Sequence, residues 1–143
     1  MKKFVVIFVV SLVLVLAGAG YSVAYKKKQV GYVIEREKQI ALKQPGPHDG
    51  GGSTTASSFF SKVPTSKIVL TKRALHPGAA IGYHLQNSNE IYYILSGTGE
   101  MKMNGEIFPV QAGDAILTLP GSSHGLTQTG KEDLVLIINY ERK

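Results

Sequence analysis

From residue 57 onward the sequence predicts an all-β domain, a sandwich or small barrel, preceded by an N-terminal hydrophobic helix. Three observations predict this. Residues 57–143 break into short apolar or alternating runs, each closed by Gly, Pro or Asn. No segment of that region carries an apolar repeat at helical spacing. And Phe4–Ala19 is apolar throughout except for Ser11 and Gly18. A length of 143 residues suits one domain and is short for two cores. With 43% hydrophobic and 18% charged residues the chain is not disordered. The absence of Cys excludes a disulfide frame, a thiolate metal site, a Cys nucleophile and a lipidated-Cys anchor.

In residues 1–28, Lys2 and Lys3 precede the apolar run, which continues through Ala24 and so reaches the ~20 residues that span a bilayer. A buried helix of a small domain would show a polar face here, and none is present. Ala17-Gly18-Ala19 and Ser22-Val23-Ala24 are small-x-small cleavage patterns. Against cleavage, Lys26, Lys27 and Lys28 follow at once, and Tyr21 and Tyr25 suit the headgroup level. An uncleaved anchor is favoured over a signal peptide. Either way the body is membrane-anchored or secreted, outside the cytoplasm.

The net charge of +6 belongs to this leader. Five of the 16 Lys+Arg lie in it, which leaves 11 against 10 Asp+Glu in residues 29–143. With no clustered basic face, the body is not a nucleic-acid binder. Residues 29–56 read as a short polar helix over 29–44 and then a Gly/Pro/Ser-rich linker, Gln44 to Thr55.

The strands expected in the body are Lys67–Leu75, Ala79–Gln86, Glu90–Ser96, Glu100–Asn104, Glu106–Val110, Ala115–Leu119, His124–Thr127 and Leu134–Tyr140. Asn104-Gly105 is the strongest turn signal among them, because a two-residue hairpin wants positive φ at both positions. The pattern contains no internal repeat.

His84 and Gln86 are two apart on one expected strand and therefore share a face. After the turn Asn87-Ser88-Asn89, Glu90 opens the next strand. His124 follows Pro120-Gly121-Ser122-Ser123. Two imidazoles, a carboxylate and an amide oxygen suit a divalent transition metal: Fe, Mn, Ni or Zn. The competing reading is polar packing in a barrel without metal. A buried Glu90 beside two imidazoles is costly without a cation, which favours the metal. On the strand of Glu90, Tyr92 shares its face, either to donate to a ligand or to fill the barrel. Met101 and Met103 read as core filler and Ser122 and Ser123 as turn residues.

The spacing goes further. Gly78, His84, Gln86, Glu90 and Gly97 resemble the first motif of the cupin superfamily, and Gly113, Pro120-Gly121 and His124 resemble the second. The resemblance covers residues 78 to 128 and implies a jelly-roll β-barrel around a metal. It places His84, Glu90 and His124 at ligand positions. Gln86 stands where the family usually has a second His, Leu119 where it usually has Pro, and Gln128 where it often has Asn. Gln86 either still ligates through its amide oxygen or orients a bound ligand. The loop from His48 to Gly52 resembles a segment upstream of some single-domain cupins, and linker is the simpler reading of it.

What the resemblance implies is a metal-dependent enzyme of dioxygenase, isomerase or lyase type acting on a small polar molecule, with Glu90 as catalytic base. The alternative is a non-catalytic module that binds a small ligand at the membrane surface, and a third reading is a structural barrel for protein contacts. Ile91, Tyr93 and Leu134–Tyr140 suggest surplus apolar surface and hence a homodimer.

Overall fold

The computed structural model describes residues 31–142. The expected anchor or signal segment, 1–28, lies outside the described residues. Among the described residues no helix is long and apolar enough to cross a membrane.

One helical turn comes first, α1 (Glu37–Ile40). Ten strands follow: β1 (Leu42–Pro45), β2 (Ser53–Phe59), β3 (Ile68–Leu75), β4 (Ala80–Leu85), β5 (Glu90–Ser96), β6 (Thr98–Met103), β7 (Glu106–Gln111), β8 (Ala115–Thr118), β9 (Ser123–Gln128) and β10 (Leu134–Glu141). They form two antiparallel sheets, β1-β2-β3-β10-β5-β8 and β4-β9-β6-β7. The all-β expectation holds, and strand β5 has the limits read from the sequence. In the β6–β7 hairpin Asn104 has φ 51° and Gly105 φ 92°, as its two-residue turn requires. Pro45 and Pro109 both lie on edge strands, where a missing amide costs no interior ladder bond.

The core forms where the facing residues of the two sheets alternate inward. Leu75, Ile94, Met101, Leu126, Leu134 and Leu136 are fully buried. The segment 134–140, expected to supply surplus apolar surface, instead sends Leu134, Leu136 and Ile138 into this core. Ile91 and Tyr93 remain exposed on the outer side of β5.

The segment 29–56 needs correction. Among its described residues only Glu37–Ile40 is helical, since a short polar stretch cannot offset the cost of helix nucleation. The run read as linker, Gln44 to Thr55, contains the last two residues of β1 and the first three of β2, so the barrel begins well before residue 57. Its Ser/Thr content hid a strand. Thr54 and Ala56 point inward, and the Thr54 hydroxyl donates to the Gln44 carbonyl at 3.2 Å, so the buried polar group is satisfied by the neighbouring strand.

Candidate metal centre

Both sheets contribute to one site. On β4 and β9, His84 and His124 are direct cross-strand partners, so their side chains project from the same face. Their rings meet edge to face, with centroids 4.5 Å apart. The pairing is re-aimed by a register shift between Ile81 and His84, the kind of bulge that turns a side chain out of ladder alternation. From the opposite sheet, Glu90 at the start of β5 points inward, followed on the same face by Tyr92.

One ligand atom each from His84, Glu90 and His124 lies within 4.8 Å of the others. His84 Nδ1 donates to the Gly82 carbonyl at 2.8 Å, which fixes the tautomer and leaves Nε2 with a free lone pair. His124 is fully buried, and its Nε2 lies 3.1 Å from the Tyr92 hydroxyl and 3.1 Å from Glu90 Oε2. Burial, reinforced by the Glu90 carboxylate, raises the Tyr92 phenol well above its ordinary pKa, so Tyr92 is a neutral hydrogen-bonding group here.

The donor set fits a cation. Glu90 Oε2 and His124 Nδ1 are buried without a hydrogen-bond partner; the close approach of His124 Nε2 to Glu90 is not aligned as a hydrogen bond. Among the described residues no Lys or Arg pairs with Glu90. A carboxylate at 6% exposure, with an unbonded oxygen and no fixed counter-charge, is costly unless a cation meets it. Borderline divalent ions accept this mixture of imidazole nitrogen and carboxylate oxygen.

Gln86 lies just beyond β4, and its amide makes one hydrogen bond, Nε2 to Ser88 Oγ at 3.3 Å. Its backbone does more: Gln86 N donates to the Ser122 carbonyl and Gly121 N donates to the Gln86 carbonyl, both at 2.8 Å. These bonds clamp the Pro120-Gly121 turn to the end of β4 and so set His124 beside His84. Gln128 also acts structurally, accepting from Gly78 N and donating to the Gly130 and Glu132 carbonyls. Met101 is core, as expected.

His48, read from sequence as linker, comes to the site. Its ring stacks on His84 with centroids 3.5 Å apart and planes 6° from parallel. Partial burial and the His84 ring lower its pKa. Sequence reasoning also passed over Arg73. It is buried on the inward face of β3, donates to Thr54 Oγ1 at 2.8 Å and has an unpartnered Nε. The signal was present: Thr71, Arg73 and Leu75 occupy alternate positions of a strand, so the arginine shares the face of a core leucine.

Residues 72–140 match the family model described as the cupin domain. An oxalate-binding protein from Thermotoga maritima is 31% identical over 111 residues, which cover 76% of this chain and 92% of that protein. The chain is a cupin. A 5-nitrosalicylic acid 1,2-dioxygenase from Bradyrhizobium sp. is 34% identical over 68 residues, 47% of this chain and 32% of that enzyme. Among solved structures, one described as a predicted oxalate decarboxylase from Thermotoga maritima has a TM-score of 0.70 at 29% identity, covering 78% of this chain and all of that one. A cupin barrel protein from Salinispora arenicola has a TM-score of 0.60 at 19% identity, over 78% of this cupin and 89% of that chain, a likeness of fold alone.

Proposed function

We propose that this cupin holds a divalent transition metal (Fe, Mn, Ni or Zn) through His84, Glu90 and His124 and uses it to act on a small oxygen-donor molecule. The observation that carries the reading is the unmatched Glu90 carboxylate, buried beside two imidazoles whose ring atoms converge on it. Bound there, the metal supplies Lewis acidity toward a ligand oxygen. The chain's own residues do the rest. The Gly82 carbonyl fixes the His84 tautomer, and Tyr92 offers its hydroxyl beside His124. In the enzyme reading Glu90 would release the metal in part and take a proton from the bound molecule, as the catalytic base of a dioxygenase, isomerase or lyase type of reaction.

A second reading is a non-catalytic module that binds a small carboxylate. The similarity to an oxalate-binding protein over nearly all of that protein's length favours it. Both readings share the metal. Elemental analysis of the purified full-length chain, followed by oxalate titration and turnover assays on the metal-loaded protein, tests them. Stoichiometric metal with oxalate consumption supports the enzyme, and binding without turnover supports the module. Protein that takes up none of the four metals removes both.

The leader and the assembly belong to the same proposal. The apolar run of residues 4–24 would hold the barrel at a membrane or direct its export, outside the cytoplasm, and fractionation of the full chain into the membrane pellet or the exported fraction tests this. Ile91, Tyr93 and Leu95 on β5 and Leu117 on β8 are exposed on neighbouring strands of one sheet. They offer a face for a homodimer, which light scattering at micromolar concentration would detect.

A further inference from the structure

Two consecutive residues of the Pro47–Gly52 loop hold left-handed backbone conformations, His48 at φ 54° and Asp49 at φ 59°. That region disfavours side chains, and glycine would occupy it with less strain. The loop is tied down by its own backbone. Gly82 N donates to the Pro47 carbonyl at 2.9 Å, and Ala80 N to the Gly51 carbonyl at 3.3 Å. A Cβ on Gly82 would overlap the His48 carbonyl, so the approach requires glycine there. One residue therefore serves two anchors: the Gly82 carbonyl fixes the ring of His84, and its amide fixes the loop that carries His48.

The outcome is an exposed imidazole lying parallel to a metal-site imidazole at 3.5 Å. Among the described residues, the hydrogen bonds to histidine rings go to His76, His84 and His124, and none goes to His48. The stack sets the His48 ring directly beside one of the three residues of the cluster. Gln86, the other candidate for that space, has its amide on Ser88. Left-handed backbone held in place by surrounding structure beside a ligand-type cluster motivates a functional reading of the residue it carries.

We propose that His48 is a ligand-binding residue of this centre, whose ring N–H donates to the oxygen of a small carboxylate anion bound at the metal. This rests on the metal reading of His84, Glu90 and His124. A neutral imidazole carries one N–H, and a hydrogen bond to an anionic oxygen is among the stronger kinds in a partly dry site. The stack and the donor are separable functions of the same ring, and substitution can split them.

The test uses the full-length chain in mild detergent, titrated with Mn²⁺ and then, once loaded, with oxalate. His48→Phe retains a flat ring over His84 and removes the donor; Phe60 already holds φ 57° in this chain, so an aromatic side chain tolerates the backbone. His48→Ala removes ring and donor together. We expect His48→Phe to bind Mn²⁺ within about twofold of the wild type and oxalate roughly ten- to a hundredfold more weakly. His48→Ala should lose at least as much oxalate affinity and weaken Mn²⁺ as well. Oxalate bound by His48→Phe as tightly as by the wild type overturns the role of His48 and leaves the metal centre standing. A wild type that takes Mn²⁺ but no oxalate overturns the carboxylate assignment and this inference with it. A wild type that takes no Mn²⁺ overturns the metal reading itself.

Discussion

Two histidine clusters occupy this barrel, and they differ in what completes them. In the first, His76 lies half-exposed after β3, with Nδ1 2.9 Å from Asp133 Oδ1 and Nε2 3.0 Å from Thr55 Oγ1. Both ring nitrogens are engaged by protein, and the trio staples β2 to the approach of β10. In the second, His124 and Glu90 are buried, with one unsatisfied polar atom each. Hydroxyl, imidazole and carboxylate in a row would suggest chemistry to a reader of residue types alone. The contrast shows that satisfaction is the more informative property: the His76 cluster is finished without a ligand, and the His124 cluster is not.

The largest effects should come from removing imidazoles of the unfinished cluster. His84→Ala or His124→Ala should abolish tight metal binding, while His76→Ala leaves metal content unchanged; elemental analysis reads all three. Metal loss in His76→Ala would erase the distinction between the clusters.

Glu90→Gln should act with opposite signs in the two metal states. In the metal-free protein it removes an unmatched buried charge, so thermal stability should rise, by about 1–3 kcal/mol. With metal present it deletes the one carboxylate of the set, and affinity should fall by at least that much. Thermal melts with and without Mn²⁺ would show the crossing, and a variant less stable in both states would mean that Glu90 has a protein partner after all.

Gln86→His introduces the ligand that the family usually carries and should raise metal affinity by ~1 kcal/mol or more. Calorimetric titration showing no change would place residue 86 outside the coordination sphere, in keeping with its bond to Ser88. Asp133→Asn should have the smallest effect of the series, about 1 kcal/mol of stability with metal affinity intact, as expected for a part-exposed pair. Buried Tyr92 sets a separate alkaline limit. Its pKa is raised on folding, so above about pH 10 tyrosine ionises in the unfolded chain first, and stability falls with further rise in pH. Tyr92→Phe should flatten that slope in chemical melts.

Much of the body was legible because its signals are local. β5 ends where the turn residues say it ends, Asn104-Gly105 makes its hairpin, and His84, Glu90 and His124 take their places from spacing to neighbouring glycines. What sequence did not show depends on long-range pairing. β2 reads as linker because Ser and Thr are loop-like by composition, and its strand character comes from pairing with β3, Thr54 opposite Leu75 and Ala56 opposite Arg73. His48 reached the centre through backbone bonds from the Pro47–Gly52 loop to Ala80 and Gly82 of β4, far along the chain, that no side-chain pattern announces. Whether His76 is finished by protein atoms also depended on Thr55 and Asp133, which lie 21 and 57 residues from it.

Strand β10 lies between β3 and β5 in the larger sheet, with Ile137 opposite both Lys72 and Tyr93. Neither neighbour can complete its ladder until that strand, last in chain order, is available. A ribosome making this protein therefore releases the β6–β7 hairpin long before the larger sheet can close. Such non-local closure puts folding on the ~millisecond-to-second scale rather than the microsecond one. During that interval β3 and β5 present bare edges, the condition under which β chains pair with the wrong partner. The interval between synthesis of β5 and arrival of β10 is therefore when this barrel is most open to mispairing.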